Sequence, residues 1–183
     1  VVVEVNAETD FVGKNEKFQE FVKGVAATVA KCAPADLDAL MECKYNGTDL
    51  TVTQQQQEMV LVIGENIKVR RFARFAEGVC VPYIHAGGKI GVLVNLAVEG
   101  EVSDKVLEMG KDVAMQIAAL NPRFWDKSQV TEDVLAEEKK IMLAQMDNDP
   151  KMASKPAQVK EKIVEGKLNK FYAENCLLQQ EFV

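Results

Sequence analysis

The sequence predicts an α+β protein with two small antiparallel sheets, each backed by helices. Three observations support this fold class. β-branched runs at 1–6 and 90–95 are each followed, after a short connection, by a longer segment with apolar residues at helical spacing. This strand–loop–helix pattern occurs twice at the same spacing. Two apolar runs also flank the sequence AGG at 86–88, which is typical of a β-hairpin.

The first strand and helix are the clearest elements. VVVEVN at 1–6 predicts a strand, and a helix is predicted over 15–31 with Asn15 as its N-cap. The apolar stripe of this helix has the spacing i, i+3, i+4, i+7 and i+11 and comprises Phe18, Phe21, Val22, Val25 and Val29.

Three further elements complete the first half. A short helix is predicted from Ala35 to Tyr45, ended by Asn46-Gly47. Residues 51–66 predict a helix with a polar start and a nearly all-apolar end, which indicates a buried C-terminal half. Residues 67–75 alternate in polarity and predict a strand.

The second half begins with the hairpin, in which Pro82 favours an edge position for the first strand. A helix is predicted over 103–120, and Thr131 is the expected cap of a helix over 132–146. Residues 147–156 form a polar, proline-containing loop. The last predicted helix runs over 157–172, with an apolar side made by Val159, Ile163, Val164, Leu168 and Phe171.

The two strand–loop–helix segments are related by a spacing of 88 residues. Adding 88 to the helix positions gives a second stripe, and Asn15 corresponds to Ser103, another capping residue. The second stripe comprises Val106, Met109, Gly110, Val113 and Ile117. Only two copies occur, which favours a duplicated unit over a solenoid. With Gly78 as a natural break, we expect two subdomains, residues 1–77 and 78–183.

Composition narrows the function classes. The formal net charge of −6 argues against a general nucleic-acid binder, which normally carries a basic face. The basic residues Lys68, Arg70, Arg71 and Arg74 alternate along a predicted strand and indicate a solvated sheet face. No apolar run reaches the roughly 20 residues of a membrane span. Four scattered cysteines without a CxxC pair favour reduced thiols in a cytoplasmic or organellar compartment.

Catalytic motifs are missing. His85 is the single histidine, which excludes a multi-histidine metal site, and no spacing pairs it with a cysteine as a nucleophile. AGGKIG at 86–91 fits a hairpin turn better than a phosphate-binding loop. The sequence therefore predicts no enzyme, no metal and no cofactor.

Asp10 and Phe11 form the candidate site, because they lie in the turn between the first strand and the first helix. In the second copy the position of Phe11 is occupied by Glu99, so the shared scaffold tolerates a charge there. That comparison predicts an exposed phenyl ring, which a partner surface would bury. The alternative is a helix-entry turn with Phe11 folded back onto its own sheet.

The segment TDFVGKNEKF at 9–18 resembles the TDFV signature of the elongation factor Ts family. Three more segments are similar to that family in kind and order: IGENIKVRRF at 63–72, YIHAGGKIGVLV at 83–94 and KIVEGKLNKFYAENCLLQQEF at 162–182. Both the family's small N-terminal helical domain and its C-terminal segment lie outside this sequence. We therefore expect a core fragment.

The resemblance implies a guanine-nucleotide exchange factor for the translational GTPase elongation factor Tu, without membrane or direct nucleic-acid partners. It implies that Asp10 and Phe11, within the motif completed by Thr9 and Val12, wedge into the GTPase near its Mg²⁺ and phosphate sites. It also implies partner contacts at Ile63, Gly64 and His85. Two alternatives stay open: a passive binding or holdase module for the same GTPase, and an enzyme that uses His85 with a cysteine.

Overall fold

The computed structural model describes residues 1–183 and confirms the α+β class, with two separate two-stranded antiparallel sheets packed against helices. The strands are β1 (Val2–Asn6), β2 (Lys68–Ala73), β3 (Val79–His85) and β4 (Ile90–Leu96). The helices are α1 (Asp10–Gly13), α2 (Glu16–Cys32), α3 (Leu37–Glu42), α4 (Val52–Ile63), α5 (Asp104–Leu120), α6 (Glu132–Asn148), α7 (Pro150–Ala153) and α8 (Ala157–Asn175). Short 3₁₀ turns occupy Ala86–Gly88, Lys127–Gln129 and Leu177–Gln179.

The chain forms two compact units, residues 1–118 and 119–183. The boundary predicted at 77/78 lies inside the first unit, and the division into subdomains 1–77 and 78–183 stays a prediction. None of the helices combines the length and apolar composition that crossing a bilayer requires. All four cysteines are unpaired thiols.

Helix α2 is the centre of the first unit's main core. It begins where predicted, because the Asn15 side chain accepts hydrogen bonds from the backbone N–H groups of Lys17 and Phe18. The predicted apolar stripe is largely buried, as are Leu40 of α3 and Ile67 and Val69 beside and within β2. The Tyr45 ring stacks on Phe21 at a centroid distance of 5.8 Å and covers the helix.

Helix α4 corrects two expectations. Thr51 and Gln54 form a reciprocal capping box, but the helix ends at Ile63, because Gly64 adopts a left-handed φ of 81°. Its apolar end is not buried: Leu61 is 83% exposed and Val62 59% exposed. The helix packs through a stripe of Val52, Met59, Val60 and Ile63. At about 100° per residue, Leu61 and Val62 lie outside the arc of the helix that this stripe occupies, so they face solvent.

The sequence patterns also predicted the ends of some other helices at the wrong residues. Helix α3 covers only Leu37–Glu42, capped by Asp36, although a helix was predicted over 35–45. The predicted polar loop at 147–156 contains the end of α6 and the single turn α7, whose cap Asp149 accepts from the Lys151 N–H at 2.9 Å. Helix α8 continues to Asn175, three residues beyond the predicted end.

The hairpin β3–β4 confirms its prediction. Val79 pairs with Leu96 and His85 with Ile90, and Pro82 stands opposite Leu93 in a sheet that has only edge strands. The turn uses positive φ angles at Ala86, Gly87 and Gly88. The glycines adopt this conformation without the steric cost of a Cβ atom.

The 88-residue spacing holds for the strand and the long helix but not for the connection between them, because α1 has no helical counterpart at 98–101. Helix α5 spans the positions that α2 occupies, displaced by 88, and Ala33 and Asn121 after the two helices share a left-handed φ of 46°. The burial differs, because Phe21 is buried whereas Met109 is exposed. Gly110 is buried instead and lets the helix lie close to Val81.

The second unit is built from α6, α7 and α8. Thr131 caps α6 as predicted, and Val130, Phe171 and Cys176 form the buried cluster. Of the predicted apolar side of α8, Val164 and Phe171 are buried, whereas Val159 is exposed. The Arg123 guanidinium binds Glu138 at 2.9 Å and lies over the Phe171 ring.

Two helical glycines test the packing around α5. A Cβ atom on Gly110 would lie 2.6 Å from Cγ2 of Val81, a stiff β-branched side chain, whereas one on Gly166 of α8 meets nothing within 4 Å. We expect Gly110→Ala to lower the free energy of unfolding by about 1–3 kcal/mol. Gly166→Ala should raise it by about 0.5–1 kcal/mol. Urea unfolding followed by circular dichroism measures both changes. If the two substitutions change the free energy of unfolding in the same direction, this packing is contradicted.

The sheet β1–β2 carries an ion-pair cluster that predicts acid sensitivity. Hydrogen bonds from the Arg71 and Arg70 guanidinium groups lower the pKa of Glu4 from 4.5 to about 2. The resulting stabilisation is complete above about pH 4.5 and is lost as the pH falls towards 2.

Glu4→Gln should therefore lower the free energy of unfolding by about 1 kcal/mol at pH 7, and the difference from wild type should vanish near pH 2. The measurement is the urea midpoint as a function of pH, with Glu58→Gln on the exposed side of α4 as the control. A pH-independent difference between Glu4→Gln and wild type would contradict the assignment.

Candidate functional site

The candidate site lies in the first unit, on the single turn α1. Val12 of this turn is 7% exposed and belongs to the main core, whereas the neighbouring Phe11 is 79% exposed. Successive residues of a helix point about 100° apart, so burying Val12 turns Phe11 outward. The exposure predicted from the repeat comparison is confirmed, and the alternative in which Phe11 folds back onto its own sheet is wrong.

Val12 was predicted together with Asp10 and Phe11 as a partner contact. Its side chain faces the core and supports the turn from the inside, and its contact with a partner stays a prediction. Asp10 is exposed, and the Lys14 ammonium lies 3.9 Å from its carboxylate. An ion pair between two exposed groups at this distance contributes little energy, so the Asp10 carboxylate is available to a partner.

An open hollow of about 480 Å³ lies beside the Phe11 ring. It brings together three segments that are distant in the sequence: α1, the start of α2 and the end of α4. Its lining consists of Phe11, Val12, Asn15, Glu16, Lys17, Val62 and Ile63. The predicted site residue Ile63 is therefore next to Phe11, and Gly64 ends α4 at the same place.

Sequence reasoning missed Leu61 and Val62, because an apolar run at the end of a helix was assigned to the core. Both side chains are exposed, and Val62 lines the hollow with Phe11. The apolar run itself was the available signal: four successive apolar residues, Val60 to Ile63, cannot all lie on one face of a helix. We call Phe11, Leu61, Val62 and Ile63 the apolar edge.

Glu65 is a third residue whose role the sequence did not indicate. One carboxylate oxygen accepts the Thr9 backbone N–H at 3.0 Å, and the other accepts the Thr9 hydroxyl at 2.7 Å. The two residues are 56 positions apart, so no local pattern could have paired them. Both hydrogen-bond donors of Thr9 are thereby engaged within the protein.

His85 lies apart from the hollow, at the end of β3. Its ring is exposed and its Nδ1 is 2.9 Å from the Tyr83 hydroxyl oxygen. The hydrogen-bonding neighbour of His85 is thus a tyrosine, and Cys80 contacts Asn95 instead. Burial raises the pKa values of the Cys43 and Cys176 thiols, which disfavours the nucleophilic thiolate. No group of three or more His, Cys, Asp or Glu side chains is arranged to hold a metal ion.

An exposed aromatic ring on a short turn, next to further exposed aliphatic side chains, is characteristic of a protein-binding surface. The family model described as elongation factor TS matches residues 8–183, and the chain belongs to this family. The resemblance inferred from the four sequence motifs is therefore confirmed.

Curated relatives named elongation factor Ts are similar over the whole chain. The protein from Syntrophotalea carbinolica is 45% identical over 185 residues, which cover 100% of this chain and 60% of that protein. Those from Trichlorobacter lovleyi and Halothermothrix orenii are 46% and 41% identical, with the same coverage. The chain thus spans about 60% of the length of these relatives.

Proposed function

We propose that this protein is a guanine-nucleotide exchange factor for elongation factor Tu. In this proposal Phe11 enters the GTPase beside its nucleotide and Asp10 approaches the Mg²⁺ and phosphate region. The observation that carries the proposal is the 79% exposed ring of Phe11, presented by a turn whose next residue is buried in the core. Membership of the elongation factor Ts family supports the choice of partner and activity.

The free energy that the turn can gain by contact is small compared with the free energy of GDP binding. Nanomolar GDP binding corresponds to about 12 kcal/mol, whereas burying one Phe side chain contributes about 1.5–3 kcal/mol. The ring alone cannot expel the nucleotide, so a broad interface of about 800 Å² on each partner must hold it in place. The apolar edge extends the contact from Phe11 to α4, where Leu61 and Val62 are exposed.

The Asp10 carboxylate contributes charge. Placed near a Mg²⁺–phosphate centre, a negative charge disfavours the bound anion and competes for the cation. Linkage requires that GDP weakens binding of this protein by the same factor by which this protein weakens GDP binding. The proposal therefore implies rapid exchange between partners and no chemical step carried out by this chain.

The other predicted residues take different roles in this proposal. Ile63 and Gly64 contact the partner at the end of α4, beside Phe11. His85 contacts it from the hairpin turn. Thr9 and Val12 complete the motif at the partner contact. They also hold the turn, Thr9 through Glu65 and Val12 through the core. The proposed setting is the cytoplasm or an organellar matrix, and neither nucleic acid nor membrane takes part.

Removing the Phe11 ring tests the proposal. We expect Phe11→Ala to reduce the acceleration of GDP release from elongation factor Tu by about 10- to 100-fold, because about 1.5–3 kcal/mol of contact is lost. The measurement is the release of fluorescent GDP in stopped flow. Unfolding of the variant should resemble that of wild type, because the ring is exposed.

Phe75→Ala is the matched control, since Phe75 is also an exposed phenylalanine of the first unit, at 45%. It should leave GDP release unchanged. If wild type binds elongation factor Tu without accelerating release, the protein is a passive binding module. If Phe11→Ala and Phe75→Ala behave alike, the role of Phe11 is refuted.

A further inference from the structure

We propose that Glu65 is a positioning residue that holds the Asp10–Phe11 turn against the end of α4. The inference rests on the proposed function for its consequence in nucleotide exchange. The structural claim, that Glu65 holds the turn, concerns the isolated protein and is tested in the absence of elongation factor Tu. The contact between Glu65 and Thr9 connects the turn that carries Phe11 with the end of α4, which carries the other residues of the apolar edge.

The geometry is that of a two-point contact. The Thr9 hydroxyl donates to one Glu65 oxygen at 2.7 Å and the Thr9 N–H donates to the other at 3.0 Å. Two hydrogen bonds to the two oxygens of one carboxyl group define an orientation as well as a distance. Thr9, directly before Asp10, is thus held at a defined position relative to Glu65, directly after Gly64.

Thr9 occupies the N-cap position of α1, and its behaviour there is unusual. A threonine at this position normally accepts a hydrogen bond from an N–H of the following turn. The Thr9 side chain makes no such bond, although its backbone is extended with φ −122° and ψ 156°. Its hydroxyl donates to Glu65 instead, so local capping is replaced by a long-range contact.

Glu65 is itself held on both sides. Before it, Gly64 is in the left-handed region with φ 81°, and its N–H donates to the Val60 carbonyl oxygen at 2.8 Å. After it, Ile67 is buried in the main core. The backbone on both sides of the half-buried Glu65 is therefore held in place, which limits the positions that its side chain can reach.

The consequence concerns the turn α1, which has only four residues. A helix of this length has almost no stability of its own, because nucleation costs more than one hydrogen bond returns. Val12 anchors the turn at one point through the core, and Glu65 supplies a second point at its start. Two fixed points preorganise Asp10 and Phe11 for binding and reduce the entropy lost when a partner engages them.

The first test uses the isolated protein. Amide hydrogen exchange at Thr9, measured by NMR, should become about tenfold faster in Glu65→Ala, because the hydrogen bond to its N–H is lost. Glu58→Ala on the exposed side of α4 is the control and should leave this rate unchanged. Glu65→Gln keeps the side-chain shape and one acceptor oxygen, and we expect an intermediate rate. Equal Thr9 exchange in wild type and Glu65→Ala overturns the proposal.

The second test uses release of fluorescent GDP from elongation factor Tu. Glu65→Ala and Thr9→Val should each reduce the acceleration about tenfold, and the double variant should be no worse than either one. Thr9→Ser, which keeps both donors, should lose less than Thr9→Val. Additive losses in the double variant would show that Glu65 acts independently of Thr9 and would overturn the proposal.

The failures of the two proposals are distinguishable. If wild type does not accelerate GDP release, the proposed function fails, while Thr9 amide exchange still decides whether Glu65 holds the turn. If GDP release depends on Phe11 but not on Glu65, the proposed function stands and the positioning role is refuted.

Discussion

Burial of Val12 is the interaction on which the candidate site depends. The side chain joins Phe18 and Phe21 in the main core, a burial that contributes about 1.5–3 kcal/mol to a turn with little stability of its own. Because the next residue of a helical turn points about 100° away, the same burial exposes Phe11. The packing of Val12 in the core therefore keeps the hydrophobic ring of Phe11 in solvent.

The surroundings of this turn explain how an isolated ring becomes part of a surface. Helix α4 packs through one stripe and leaves Leu61 and Val62 in solvent, next to the hollow beside Phe11. Glu65, directly after the helix, binds Thr9 and joins the two segments. The exposed apolar side chains of α1 and α4 thus lie on two segments of the first unit that are hydrogen-bonded to each other, which fits a binding surface better than two independent loops would.

The duplicated strand–loop–helix unit shows how one scaffold carries different surfaces. Helices α2 and α5 match in length and in the left-handed residue that follows each of them. Their packing differs, since Phe21 is buried where Met109 is exposed and Gly110 lies against Val81. The connection before the helix also differs, since α1 has no counterpart at 98–101, where Glu99 occupies the position that corresponds to Phe11.

The sequence by itself determined the α+β class and the helix starts at Asn15, Thr51 and Thr131, and it predicted the exposed Phe11 as one of two alternatives. These features follow from capping, periodicity and duplication, which act over a few residues or repeat along the chain. Only the tertiary structure decided which face of α4 is buried, where Val12 points and that Thr9 binds Glu65 across 56 positions. The reason is physical: burial and long-range hydrogen bonds depend on which surfaces meet, and no local pattern of residues specifies that.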